Sequence, residues 1–203
     1  MGGARTLILV VGPNGAGKTL FAGRFAAESR LEFVNADLIA AERWPGEEES
    51  RSYQAAAVAA DRRSEMISTG QSFIAETVFS HPSKVEFVRA ALDSGYTVGM
   101  HAVMVPENLA VSRVRTRVRS GGHSVPEEKI RDRYRRLWGL VAEAAGMCDE
   151  AFFYDNTSAR NPFRLVAEFD RGVPVGILVW PDWAPPELAS LGGGVEMLDG
   201  RNG

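Results

Sequence analysis

Residues 10–19 read VVGPNGAGKT, and the letters from Gly12 to Thr19 match the pattern G-x-x-x-x-G-K-[ST] in full. A buried-type strand, 6–11, precedes this glycine-rich bend, and an amphipathic helical pattern, 17–29, follows it. In such a strand–loop–helix unit the glycines let successive backbone N–H groups converge on an anion, and the helix N-terminus adds partial positive charge. The stretch therefore predicts an α/β fold with a phosphate-binding loop.

Two side chains of this loop carry predictions of their own. Lys18 is expected to reach the β- and γ-phosphates of a nucleotide, as a surface charge aimed at an anion, and the Thr19 hydroxyl is expected to bind Mg²⁺. Lysine is rare here, with three among 23 basic residues, so a lysine at this position favours nucleotide binding. The loop residues predicted to hold the nucleotide are Gly12, Asn14, Gly15, Ala16, Gly17, Lys18, Thr19 and Leu20.

Short apolar runs alternate with longer helical patterns along most of the chain. Strands are predicted at 6–11, 32–35, 72–75, 96–104 and 150–154, and helices at about 17–29, 50–69, 83–94, 106–119 and 126–147. This alternation indicates a three-layer α/β fold with a parallel central sheet. After residue 155, the segments 164–170 and 174–180 predict a C-terminal hairpin or edge strands. The last ten or so residues are expected to be poorly ordered.

Composition limits the class of protein. The 203 residues are predicted to form one domain, 1–203, and the formal net charge of −3 argues against a whole-molecule electrostatic binder of nucleic acid. The single cysteine, Cys148, excludes an internal disulfide, fits a reducing compartment and is predicted to be buried. No apolar run is long enough to cross a membrane. We therefore expect a cytoplasmic protein with neither membrane nor nucleic acid as its partner.

The chain lacks the sequence signatures of other classes of phosphate-loop protein. Transporter ATPases have a similar phosphate loop but need an LSGGQ-type signature and an aspartate–glutamate pair after a later strand. Neither is present, since the letters of 120–123 read SGGH. The NKxD-like guanine reader of small GTPases is also absent. Both classes are therefore disfavoured.

Asp37 follows the predicted strand 32–35, at the carboxyl end where ligands bind in parallel sheets. A carboxylate there can accept the proton of a substrate hydroxyl as it attacks the γ-phosphate, while the alternative is an N-cap for a following short helix. Glu76 and Thr77 end the third strand on the same edge, where they could contact substrate or a magnesium-bound water. Their alternative is a solvated strand end.

The stretch 113–136 holds eight arginines and one lysine against three carboxylates. Within it, the letters of 121–126 (GGHSVP) break two helical patterns. Basic helices joined by a glycine hinge fit a lid that closes over phosphates, expels water and neutralises the transferring group. A solvated charged face and a nucleic-acid patch are the alternatives.

These motifs together resemble the zeta toxin family of P-loop kinases, in its short single-domain form. The resemblance spans about residues 6–160. Its matching letters are GPNGAGKT, NAD-LIA around Asp37, SF-x-x-ET ending at Thr77, RV-x-x-RV-x-x-GGH-x-VP from Arg113 to Pro126, I-x-x-RY from Ile130 to Tyr134, and the DN of Asp155 and Asn156.

The resemblance implies ATP- and Mg²⁺-dependent phosphotransfer to a hydroxyl of UDP-N-acetylglucosamine, and an antitoxin protein as a partner. By the family pattern Asp37 would be the base, and Lys18 with the lid arginines Arg117 and Arg133 would stabilise the transferring group. Arg113 and Asn156 would join the nucleotide site. Helical periodicity alone would favour other arginines, since Arg115 and Arg119 flank the apolar stripe of their helix more closely. The chain lacks the added segments of the longer toxins.

Three functional hypotheses follow. The first is a kinase acting on a small-molecule hydroxyl, with a nucleotide-activated sugar as the leading acceptor. The second is a kinase of the same fold with another acceptor, such as a sugar acid, an antibiotic or a nucleoside. The third is a nucleotide-gated binding module or weak ATPase whose ligand is a partner protein.

Overall fold

The computed structural model describes residues 4–119 and 125–191. Its strands are β1 (Arg5–Val11), β2 (Glu32–Asn35), β3 (Phe73–Thr77), β4 (Tyr96–Met104), β5 (Glu150–Asp155), β6 (Arg164–Asp170) and β7 (Val173–Pro174). Its helices are α1 (Lys18–Ser29), α2 (Ala36–Arg43), α3 (Ser52–Thr69), α4 (Ser83–Asp93), α5 (Glu107–Arg119), α6 (Glu127–Ala145) and α7 (Pro186–Ala189). The predicted five strands and five long helices are confirmed, while α2 and α7 are additional.

The strands form one sheet in the order β2-β3-β1-β4-β5-β6-β7. The first five in the chain pair in parallel, as predicted, and β6 adds to β5 in the antiparallel direction. The predicted hairpin is also present, although its second strand is short. Beyond β7 the chain still follows β6, because Val175 N donates to Glu168 O and Val179 N donates to Val166 O.

Both faces of the sheet are covered, which explains the unbroken apolar run of β1. Leu7, Leu9 and Val11 point into the larger core, which α4 and α6 cover, whereas Val10 points into a second core with Phe21 of α1. Successive side chains of a strand alternate between faces, so only a strand buried on both sides needs consecutive apolar residues. Cys148 is buried in the larger core, as predicted.

The fold brings the chemically interesting strand ends to one edge. Val11, the last residue of β1, pairs with Thr77 of β3, and Asn35, the last of β2, pairs with Glu76. The phosphate loop begins one residue after Val11. The phosphate loop therefore lies next to Asn35 and Glu76 at the carboxyl edge of the sheet, where parallel α/β sheets bind ligands.

Two predicted features lie outside the described residues: the glycine-rich break at 121–124 and the poorly ordered tail. Among the helices that the structure describes, none has the length and apolarity that crossing a membrane would require.

Gly12 links β1 to the phosphate loop at a very close backbone approach. Its φ is +143°, and a Cβ at this position would lie 2.2 Å from the carbonyl oxygen of Val103 in β4. We expect Gly12→Ala to lower the free energy of unfolding by about 3 kcal/mol, because the backbone is strained and the neighbouring strand must move. Chemical denaturation measures the change.

Gly23→Ala is the matched control. Gly23 is an exposed residue inside α1 whose Cβ would meet nothing within 4 Å. Alanine should raise the free energy of unfolding there by about 1 kcal/mol or less, because it has the better helix propensity. Equal denaturation midpoints for the Gly12 variant and the unmodified protein would contradict the close-approach interpretation.

Candidate active site

The phosphate loop folds as its sequence predicts, with Gly15 and Gly17 in the left-handed region of φ. Gly17 directly precedes α1, so the helix begins at Lys18 and its N-terminus faces the loop. The helix start has no side-chain cap hydrogen bond and no acidic residue in its first turn. Backbone N–H groups at this end therefore remain available to an anion.

Lys18 is not the surface charge that the sequence suggested. Its side chain is 7% exposed, its Nζ donates to the carbonyl oxygen of Pro13 at 3.0 Å, and it lies 3.9 Å from Glu76 Oε1. Burial lowers the pKa of Lys18, while the charges of Glu76 and Asp37 oppose that shift. The ammonium folds back on its own loop, where a phosphate can compete for it.

Glu76 is the carboxylate at the centre of the site, and it is not a solvated strand end. It is 8% exposed. Its Oε2 accepts from Asn35 Nδ2 at 2.5 Å, and its Oε1 accepts from the Thr19 hydroxyl at 3.1 Å. Thr77 beside it is partly exposed, and its hydroxyl accepts from the backbone N–H of Phe79. Glu76 thus ties β2, β3 and the phosphate loop together.

Asn35 is the N-cap of α2, which overturns the capping alternative for Asp37. The Oδ1 of Asn35 accepts from the backbone N–H groups of Asp37 at 2.7 Å and Leu38 at 3.1 Å. Asp37 lies in the first turn of the helix with an exposed side chain. Because Asn35 does the capping, the carboxylate of Asp37 is available for chemistry.

The arginines of α5 and α6 divide into two sets. Arg113, Arg117 and Arg133 line the cleft above the phosphate loop. Arg115 forms an ion pair with Glu127, and Arg131 pairs with both Glu107 and Glu127. The choice of Arg113 and Arg117 over Arg115, made from the family pattern against periodicity, therefore agrees with where these side chains lie.

The charges of the cleft are coupled. The positive charges of Arg117 and Arg133 lower the pKa of Lys18 further. Burial lowers the pKa of Arg133, and the negative charge of Asp37 counters that shift. Asp37, Lys18 and the two arginines therefore sense one another across a shared space.

This space is a cleft of about 810 Å³. It is bounded by the phosphate loop, the start of α2, one side of α3, the segment after β3, and α5 with α6. The predicted site residues that line it are Asn14, Gly15, Gly17, Lys18, Thr19, Leu20, Asp37, Glu76, Thr77, Arg113, Arg117 and Arg133. Its volume is in the range of small-molecule sites.

Three predicted residues lie behind the loop instead of in the cleft: Gly12, Ala16 and Asn156. Asn156 Nδ2 donates to the carbonyl oxygen of Ala16 at 2.8 Å, and Asn156 Oδ1 accepts from the backbone N–H of Phe163. Arg113 Nη2 donates to the carbonyl oxygen of Asn156 at 2.9 Å. These contacts fasten the loop to the end of β5, so Asn156 acts on the loop's position.

The sequence interpretation missed Arg63 and Lys84, which also line the cleft. It also missed Lys129, which lines the cleft with its Nζ 4.7 Å from the ring centroid of Tyr53, another lining residue. One signal was available for Arg63: it occupies a buried position on α3, in helical register with Ala59. An arginine on an otherwise apolar helix face indicates a special role.

Mg²⁺ in nucleotide sites takes few protein ligands, commonly one or two oxygen donors besides the phosphates and water. The Thr19 hydroxyl and the Glu76 carboxylate are such donors, and they lie 3.1 Å apart at the end of the loop. The residues present therefore fit a Mg²⁺ ion bound together with a nucleotide.

The pairing of Asn35 with Glu76 generates a prediction. Asn35→Asp keeps the capping oxygen but replaces the amide donor with a second carboxylate facing Glu76. We expect the free energy of unfolding at pH 7 to fall by about 2 kcal/mol, since like charges repel and a buried acceptor loses its partner. Protonation of one carboxylate relieves the repulsion, so the loss should be smaller at pH 5.

Asn35→Ser is the control, because serine caps comparably without adding charge. Its loss of stability should be independent of pH between 5 and 7. Denaturant titrations at both pH values measure the effect. A pH-independent loss in the aspartate variant would contradict the predicted carboxylate contact.

Residues 7–140 match the AAA domain family AAA_33, and the match covers most of the chain. The chain therefore belongs to this family of P-loop, kinase-like proteins. A comparison with curated proteins finds no match.

Solved structures of similar fold include a chain of the AvrRxo1-ORF1:AvrRxo1-ORF2 complex, with a TM-score of 0.66 and 14% identity. That alignment covers 85% of this chain and 60% of that chain, so this chain spans about three fifths of its neighbour's length. A structure of the PezAT toxin–antitoxin system of Streptococcus pneumoniae aligns with a TM-score of 0.61 and 13% identity, covering 81% and 71% of the two chains.

Shikimate kinase from Acinetobacter baumannii, solved with shikimate, aligns with a TM-score of 0.50 and 20% identity, covering 79% of this chain and 87% of that chain. At these identities the comparisons establish the fold. The protein has the three-layer P-loop kinase fold with a mostly parallel central sheet.

Proposed function

We propose that the protein is an ATP- and Mg²⁺-dependent kinase that transfers the γ-phosphoryl group to a hydroxyl of a small molecule. The observation that carries this proposal is Asp37: an exposed carboxylate in the first turn of α2, not needed for capping, that shares the cleft with Lys18 and the lid arginines. A nucleotide-binding module has no use for a base opposite the γ-phosphate.

The proposed reaction divides its work among these residues. Asp37 accepts the proton of the acceptor hydroxyl. The oxygen of that hydroxyl forms a bond to the γ-phosphorus, and ADP leaves with the bridging oxygen. Lys18, Arg117 and Arg133 stabilise the negative charge spread over the transferring group. Thr19 and Glu76 would hold the Mg²⁺, which supplies charge neutralisation at the phosphates when bound.

The arginines of α5 and α6 that line the cleft support a role for these helices as a lid. Arginines that reach the phosphates only when a lid is closed can act in the transition state and also exclude water from the reacting group. The lid, about residues 113–136, belongs to the single-domain organisation that we propose for residues 1–203.

UDP-N-acetylglucosamine is the first acceptor to be tested, because the motifs resemble those of zeta toxins and the fold is similar to that in the PezAT system. The second candidate within this class is another small hydroxyl compound, for which the similarity to shikimate kinase is the supporting observation. ATP as the phosphate donor fits a cytoplasmic location.

A partner protein is part of the proposal. Two of the similar folds come from two-protein assemblies, AvrRxo1-ORF1:AvrRxo1-ORF2 and the PezAT toxin–antitoxin system. A partner that inhibits the kinase should block the cleft, so it should protect α5 and α6 from hydrogen exchange in the complex.

Asp37→Asn tests the base directly. The change keeps the shape of the side chain and removes its basicity, so phosphotransfer should fall by about 10² or more while ATP affinity and folding are unchanged. The product is followed by mass spectrometry with UDP-N-acetylglucosamine and a panel of sugar nucleotides and sugar acids.

Glu42→Gln is the matched control, since Glu42 is an exposed acid on the same helix and does not line the cleft. It should retain activity close to that of the unmodified protein. Full activity in the Asp37 variant would remove Asp37 from the mechanism. Absence of product with every acceptor would favour the binding-module hypothesis.

The lid arginines give a second test. Arg117→Ala and Arg133→Ala should each lower kcat at least tenfold and weaken ATP binding less, because charge neutralisation matters most in the transition state. Arg115→Ala removes the same charge from α5 at an ion pair outside the cleft and should change kcat less than twofold. Equal losses in Arg115→Ala and Arg117→Ala would contradict a specific role for the cleft arginines.

A further inference from the structure

Arg63 is a buried cation that has neither an anionic nor a hydrogen-bonding partner among the described residues, and the contact that its charge makes there is with an aromatic ring. It lies on the buried face of α3 together with Ala55, Ala59 and Met66, and the residue is 5% exposed. Its guanidinium lies 5.2 Å from the ring centroid of Phe87. In the part of the chain that the structure describes, it makes neither an ion pair nor a hydrogen bond, although a guanidinium has five N–H donors.

Lys84 lies beside it in the first turn of α4. It is half-buried and likewise makes no ion pair with any described residue. Burial, with a further contribution from the charge of Arg63, lowers the pKa of Lys84 to about 8. The N-terminal turn of a helix is also the unfavourable end for a cation. Two cations are thus held together where the protein by itself disfavours both.

Nearby carboxylates do not neutralise this pair. Glu49 lines the same cleft as the pair, and Glu86 lines a groove between α3 and α4 together with it, yet neither makes an ion pair with Arg63 or Lys84. Neighbouring Arg62 shows the contrast, because it is only partly buried and pairs with both Glu32 and Glu65. A buried charge without a partner is costly, so its retention points to a ligand that supplies the opposite charge.

Arg63 and Lys84 line the same cleft as Lys18 and Asp37. They also line a second groove, of about 460 Å³, between α3 and α4. Along α3, Arg63 lies ten residues beyond Tyr53, which is about 15 Å at the rise of an α-helix. Tyr53 in turn is close enough to Arg133 to affect its pKa. Arg63 therefore lies about three helical turns along α3 from the part of the cleft where Tyr53 and Arg133 are close.

The cleft as a whole has a positive charge. Counting the residues that the structure describes, three carboxylates line it, against seven cationic side chains: Lys18, Arg63, Lys84, Arg113, Arg117, Lys129 and Arg133. Lys18 and the lid arginines can be assigned to the phosphates of the nucleotide. Arg63 and Lys84 are left for a second anion.

We propose that Arg63 and Lys84 bind an anionic group of the phosphate acceptor, either a carboxylate or a phosphate, at the end remote from the hydroxyl that receives the phosphoryl group. This inference rests on the proposed kinase function. The planar guanidinium suits bidentate binding of either oxyanion, and the lysine adds a second charge. The natural acceptor is then an acidic molecule, such as a sugar acid or a phosphorylated or nucleotide-activated sugar.

The test uses the full-length protein saturated with Mg²⁺ and a non-hydrolysable ATP analogue, so that the phosphate loop is occupied. Pyrophosphate and malonate are then titrated in separate experiments and followed by NMR chemical shifts. We expect one further anion site per chain, and the tighter of the two probes distinguishes a phosphate-type from a carboxylate-type acceptor group.

Arg63→Gln and Lys84→Gln should each weaken binding of the preferred probe at least tenfold. The matched controls are Arg62→Gln on α3 and Arg89→Gln on α4, which remove one charge from the same helices at exposed ion pairs. These controls should stay within twofold. No probe binding to the loaded protein, or equal losses in cleft variants and controls, would overturn the proposal.

Arg63→Met separates a binding role from a structural one. If Arg63 serves a ligand, replacing an unpartnered buried charge with an apolar side chain against Phe87 should raise the Tm in the absence of ligand and abolish probe binding. A lower Tm in Arg63→Met, together with unchanged probe binding in Lys84→Gln, would instead show that the two residues have a structural role and would contradict the proposal.

Failure of this site and failure of the kinase function remain distinguishable, because probe binding needs no catalysis. If the protein binds the probe through Arg63 but phosphorylates no acceptor, the proposed anion site is supported and the proposed kinase function is contradicted. Once an acceptor is known, Arg63→Gln should raise its KM at least tenfold with the KM for ATP unchanged. If the protein phosphorylates an uncharged acceptor efficiently and Arg63→Gln does not change that activity, the proposed anion site is contradicted and the proposed kinase function is supported.

Discussion

Glu76 accepts hydrogen bonds from two different elements of the fold, and the arrangement of the site depends on it. The carboxylate binds Asn35 at the end of β2 and Thr19 at the start of α1, and it lies within reach of the buried ammonium of Lys18. A buried carboxylate is tolerated only with such partners. Because Asn35 also caps α2, the same contact fixes the helix that carries Asp37.

Positive side chains outnumber negative ones in the cleft around Glu76. Cations from α3, α4, α5 and α6 converge on a cleft that has few carboxylates, and burial depresses the pKa of Lys18, Arg63, Lys84 and Arg133. In the absence of ligand these groups destabilise one another. Ligands with negative charge at both ends would relieve that repulsion, which links the proposed nucleotide site to the proposed anion site.

The alternation of apolar runs with helical patterns was sufficient to predict the sheet and its long helices, since strand and helix periods are local properties of sequence. The short helix α2 entered only as the alternative interpretation of Asp37, because eight residues carry little periodic signal, and its start is fixed by the Asn35 cap. Lys18 was predicted to be a surface charge because its expected task is to reach an anion. Its burial results from packing the loop against β3 and the end of β5, which no local pattern encodes.

The sequence by itself determined the phosphate loop, the order of the elements and the carboxylates Asp37 and Glu76 at strand ends, because these depend on spacing along the chain. Only the tertiary structure decided which polar residue caps α2 and which arginines of α5 and α6 face the cleft. It also decided that Arg63 and Lys84 both line that cleft. Those outcomes depend on contacts between residues distant in sequence, where geometry and desolvation decide whether a charge is paired, solvated or left for a ligand.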